Sequence, residues 1–144
     1  MKKIFVIDWV LIPAFALSFF TGLGLHAAGH GHHHGGWWHV WTFLHILTSL
    51  AFLIAVVFHV TTHQAWYRGI VRGGIGRKSK WTAGLSLLFP GLVITGLVLL
   101  GVKGMHSPVG LWHYKIGIAT GVVAIGHGIA RFPILRRSLN RSKS

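Results

Sequence analysis

Long apolar stretches alternate with short polar ones along this chain. Four of them, 5–25, 40–62, 82–102 and 111–131, are long enough to cross a hydrocarbon core, which takes about 20 apolar residues as a helix. The pattern predicts an all-α protein, a four-helix transmembrane bundle made of two helix-pair repeats. Residues 1–144 form a single membrane domain, with 132–144 as a basic cytoplasmic tail. Composition agrees, since 52% of residues are hydrophobic and 10% are charged, and almost nothing is left over for a soluble domain.

A formal charge of +13 would point to nucleic acid if it lay on one soluble face, but it lies at the span edges. Lys2 and Lys3 precede the first span. Arg68, Arg72, Arg77, Lys78 and Lys80 fill the second connection, and Arg131, Arg136, Arg137, Arg141 and Lys143 follow the last span. The other two connections carry only Lys103 and Lys115. The positive-inside rule therefore places both termini and the middle connection in the cytoplasm, in a bacterial or archaeal inner membrane, with lipid and not nucleic acid as the surrounding partner.

No cysteine is present, which excludes disulfides, iron–sulfur clusters, thiolate zinc sites and covalently attached c-type haem. The first span imitates a signal peptide, but its length and its interruption by Asp8 and Pro13 read as a retained helix.

The chain repeats itself. Each half has a helix with a Thr-Gly pair (Thr21-Gly22, Thr95-Gly96), an outward loop containing histidine, and a second helix near a Trp-His pair (Trp38-His39, Trp112-His113). Both second helices carry histidines fourteen residues apart, His45 and His59 in one, His113 and His127 in the other. Fourteen residues is nearly four helical turns, so the two imidazoles share a face about 21 Å apart along the axis. Helices two and four run in the same direction, and side by side they level His45 with His113 and His59 with His127.

A neutral imidazole ligates iron axially, and two of them on facing helices close a six-coordinate haem suited to electron transfer. Gly117, Gly121, Gly126, Gly128 and Ser49 are expected to make room for the macrocycle. The plainer alternative is that these histidines hydrogen-bond between helices. Four at equal spacing on two parallel helices favour haem, because ionisable residues inside spans are rare and usually functional.

On His45, His59, His113, His127 and the repeat, the chain resembles the cytochrome b type of di-haem four-helix bundle. It is also similar to the short cytochrome b subunits that anchor periplasmic redox proteins, and to a bacterial family of four-helix haem-binding domains. The resemblance implies two haem b groups and an electron-transfer subunit of an oxidoreductase complex. Such a subunit would pass electrons between the quinone pool and a periplasmic multihaem cytochrome or dehydrogenase subunit. The additional helices that complete the quinone sites of quinol–cytochrome c reductase have no counterpart here.

His63, one turn after His59, is a rival ligand or, with Asp8 and Trp66, a quinone candidate. Asp8 is the sole acidic residue and is expected to pair with Lys2, Lys3 or Arg131. His26, His30, His32, His33 and His34 crowd the first outward loop, which raises a second function, a His-rich metal-ion carrier or sensor. Trp9, Trp37, Trp38, Trp41, Trp66, Trp81 and Trp112 fall near span ends, as an interfacial aromatic belt does.

Overall fold

In the computed structural model, residues 3–30, 37–74, 80–102 and 107–140 are described, the side chains of 3, 4, 30, 139 and 140 excepted. They form five helices, α1 (Lys3–His30), α2 (Trp37–Thr62), α3 (Gln64–Gly73), α4 (Lys80–Gly101) and α5 (Pro108–Asn140). Four of these, α1, α2, α4 and α5, are long and apolar enough to cross a membrane, which makes the chain a multi-pass membrane protein. Burial agrees with that solvent. Among the described residues the buried hydrophobic side chains are Ala55 and Leu135, whereas Phe20, Leu87 and Ile129 are 66%, 79% and 71% exposed. Water would not support so much outward apolar surface.

The chain divides into two compact units, Met1–Arg68 with Ile134–Ser144, and Gly69–Pro133. In the first, α1 and α2 form an antiparallel pair. Phe15 meets Phe52 with ring centroids 5.8 Å apart, Ser18 Oγ lies 2.9 Å from Ser49 Oγ, and Thr21 Oγ1 lies 2.9 Å from Thr48 Oγ1. Nearer the α1–α2 connection, Gly24 lets the Trp41 ring so close that an added Cβ would stand 2.6 Å from it. Hydroxyls in these apolar helices are also satisfied within their own turn. Thr21 donates to the Leu17 carbonyl at 2.7 Å and Thr48 to the Leu44 carbonyl at 2.8 Å, which lowers the cost of carrying them through lipid.

The second unit pairs α4 with residues 108–133 of α5, again antiparallel. Trp81 lies against Gly126, Gly84 faces Val123, and Leu92 faces Gly117. Gly117 and Gly126, expected to leave space for a porphyrin, turn toward α4 instead, and Ser49 turns toward α1. Close helix approach over small residues is how membrane helices gain packing when no hydrophobic effect drives them together. Trp41 and Trp81 are likewise packing residues, not members of an interfacial belt alone.

Two further elements depart from the expected layout. The basic second connection holds α3, a short helix that ends where the Gly74 N–H donates to the Ile70 carbonyl at 2.8 Å, with Gly74 at φ +74°. That left-handed cap is the conformation glycine adopts without strain. At the other end, α5 continues through Pro133 to Asn140, so most of the stretch read as a tail is helical.

Candidate functional site

The four histidines of the repeat all lie on α2 and α5, His45 and His59 in the first unit and His113 and His127 in the second. Each is met by an oxygen from the companion helix at Nδ1. His45 Nδ1 lies 3.2 Å from the Ser18 carbonyl, 3.3 Å from Thr21 Oγ1 and 3.5 Å from Ser49 Oγ. His113 Nδ1 lies 3.0 Å from Thr95 Oγ1, and His127 Nδ1 lies 3.3 Å from Thr82 Oγ1. For His59 the partner is a carboxylate, with Nδ1 2.8 Å from Asp8 Oδ1.

These partners assign the ring protons. A carbonyl and a carboxylate only accept, so His45 and His59 carry hydrogen on Nδ1. Thr95 spends its own hydrogen on the Gly91 carbonyl at 2.8 Å, so its oxygen accepts from His113 in the same sense. In the neutral form of each of these rings the lone pair, and with it the capacity to ligate a metal, resides on Nε2. Metal-bound histidines are oriented in this way, by donation of the second ring N–H to an oxygen.

The two units repeat the arrangement position for position. The oxygen-bearing residues are thirteen apart on the first helix of each pair, Asp8 and Thr21 in one and Thr82 and Thr95 in the other. Their histidines are fourteen apart on the second helix. A glycine follows the threonine in both, and an added Cβ would stand 3.0 Å from His45 Cε1 at Gly22 and 3.1 Å from His113 Cε1 at Gly96. The Thr-Gly pairs thus have a physical role, threonine holding the imidazole and glycine letting it lie against the backbone. Sequence reading found these pairs only as markers of a repeat. The signal that could have revealed their role is the equal spacing of the oxygen-bearing positions.

Of the bases expected to pair with Asp8, Lys2 and the side chain of Lys3 lie outside the described residues, and among the described residues the ion-pair partners of Asp8 are histidines, not Arg131. The Asp8 carboxylate meets His59 at 2.8 Å and His63 Nε2 at 3.5 Å. The first contact is a strong charge-assisted geometry, while the second is too long to be more than a weak one. The His59 and His63 rings are 4.5 Å apart between centroids. One ligand atom from each of Asp8, His59 and His63 lies within 4.8 Å of the others, which is compact enough to hold a metal ion. Trp66 sits at the start of α3, where its backbone N–H donates to the His63 carbonyl at 2.9 Å and its ring stands edge-on to Tyr67. His39, given no ligand role, makes an edge contact with Trp38. His32, His33, His34, Lys103 and His106, and the side chain of His30, lie outside the described residues.

No protein-family model, no curated protein and no solved structure matches this chain, so its function rests on the site itself.

Proposed function

We propose that the chain is a di-haem b-type cytochrome of the membrane, an electron-transfer subunit working between the quinone pool and a periplasmic redox partner. The observation that carries this reading is that all four equally spaced histidines are held through Nδ1 by an oxygen of the neighbouring helix. A hydrogen bond given by Nδ1 leaves the lone pair of a neutral ring at its second nitrogen. That nitrogen, Nε2, is the one that an axial ligand presents to iron.

The donor set fits haem. Neutral imidazoles are suitable axial ligands, and Gly22 and Gly96 let the rings of His45 and His113 lie close against the neighbouring helix. Haem supplies a one-electron couple that no side chain of this cysteine-free protein provides. Under the proposal His45 and His113 hold an outer haem and His59 and His127 an inner one, with both termini in the cytoplasm. A multihaem cytochrome or dehydrogenase subunit docks outside, and His63, Asp8 and Trp66 adjoin a quinone at the inner end. Haem quantification in purified protein tests it directly, with two b-type haems expected per chain. His45→Ala and His113→Ala should each lose the same haem and spare the other. Loss of different haems in those two variants would sink the pairing, and a colourless protein would sink the reading.

One observation favours a second reading, a membrane metal-ion carrier or sensor. Asp8, His59 and His63 offer two imidazoles and a carboxylate within 4.8 Å, a donor set common to zinc and other divalent transition ions. Elemental analysis separates the readings, iron in haem stoichiometry supporting the first and zinc or nickel without haem the second.

A further inference from the structure

The two units differ chemically at one position of an otherwise shared arrangement. Thr21 and Thr95 serve the outer histidines of both units with hydroxyl groups, and Thr82 serves His127 in the same manner. Its repeat equivalent, Asp8, serves His59 with a carboxylate, at the shortest of the four contacts, 2.8 Å. Asp8 is also the only acidic residue of the chain. A carboxylate in a helix meant for lipid is costly, most of all near the middle of the span and less toward its ends. The single acid therefore falls on one of the four places where the repeat puts an acceptor for a ligand histidine.

We infer that Asp8 is a positioning residue that makes the His59-bound haem the lower-potential centre of the pair, so that electrons run downhill from the inner haem to the outer one. The inference rests on the di-haem reading above. A carboxylate accepting the Nδ1 hydrogen pulls the imidazole toward imidazolate and raises the basicity of Nε2. A more basic axial ligand stabilises ferric over ferrous iron, and hydrogen bonding to the ligand from outside the coordination sphere is one of the protein's levers on haem potential. A threonine hydroxyl, neutral and at 3.0 to 3.3 Å, does this far less. His63 shares the carboxylate from 3.5 Å, too far to take the bond from His59. The asymmetry gives a wire built from two like halves a direction.

The test is a spectroelectrochemical titration of the unmodified protein, Asp8→Thr and Thr82→Asp, with haem content measured first. Asp8→Thr copies an arrangement the second unit already holds, and so it should keep both haems. Its lower midpoint should rise by at least a tenfold change in the ferric/ferrous equilibrium, about 59 mV for one electron, with the higher midpoint unmoved. Thr82→Asp should shift the same lower midpoint further down. Unchanged midpoints in Asp8→Thr, or a shift of the higher one, would overturn the role of Asp8 while leaving the cytochrome standing. An unmodified protein without haem would overturn both, before any variant is made.

Discussion

Thr95 Oγ1 lies 3.0 Å from His113 Nδ1, and its own hydrogen is committed to the Gly91 carbonyl at 2.8 Å. The hydroxyl is thus both donor and acceptor, tied to α4 at one side and to α5 at the other. Thr95→Val keeps the shape and removes both functions. Loss of an outer partner of this kind weakens metal binding by about 10- to 100-fold. On the di-haem reading, the variant should release one haem at detergent or temperature conditions where the unmodified protein retains two, and Thr21→Val should affect the same haem. Competition for haem by an apo-globin acceptor measures the rates.

Glycine at 22 and 96 is required by the rings opposite. A methyl added at either place stands 3.0 or 3.1 Å from the imidazole Cε1, and the ring must yield by a few tenths of an ångström. Gly96→Ala should therefore turn His113 without removing it. On the di-haem reading, the expected result is an altered low-spin electron paramagnetic resonance signal from one haem at full haem content. Gly126→Ala is harsher, since its methyl would meet the Trp81 ring at 2.7 Å. Overpacking of that kind costs about 1–3 kcal/mol, and the thermal midpoint should fall accordingly.

His63 is the histidine of the cluster with Asp8 and His59 that the repeat does not supply. Its Nε2 is buried, 3.5 Å from Asp8 Oδ1 and without a hydrogen-bond partner among the described residues. If it serves a quinone head, His63→Ala should retain both haems and slow their oxidation by a soluble quinone analogue by tenfold or more in stopped flow. Oxidation at the unmodified rate would remove His63 from quinone chemistry.

Orientation is tested at two serines. Cysteines placed singly at Ser107, just before α5, and at Ser142 should label with impermeant maleimide from opposite sides of the membrane, Ser107 from outside. Labelling of position 142 from outside would reverse the proposed topology.

Much of the fold was legible because apolar length is a one-dimensional signal. Four spans and the His45/His59, His113/His127 spacing come from counting along the chain, and α1, α2, α4 and α5 lie where the count put them. What counting could not give is the register of one helix against its antiparallel neighbour. That register decides that Asp8 meets His59, and that Gly117 and Gly126 face α4. It also takes Trp41 and Trp81 into the helix contacts. α3 escaped because its basic residues read as a connection, and the end of α5 because Arg136, Arg137, Arg141 and Lys143 made 132–144 read as a basic tail.

The Nδ1 contacts of each histidine come from within its own helix pair, and this bears on how the protein is made. Membrane helices insert individually before they associate. An α1–α2 hairpin leaving the insertion machinery already contains Ser18, Thr21 and Asp8 opposite His45 and His59, so its imidazoles can be aimed before the second half is synthesised. The α4–α5 hairpin is equally self-sufficient for His113 and His127. On the di-haem reading, cofactor loading is then a late event in biogenesis, the joining of two finished hairpins, and haem starvation should leave inserted, helical apoprotein in the membrane instead of unfolded chain.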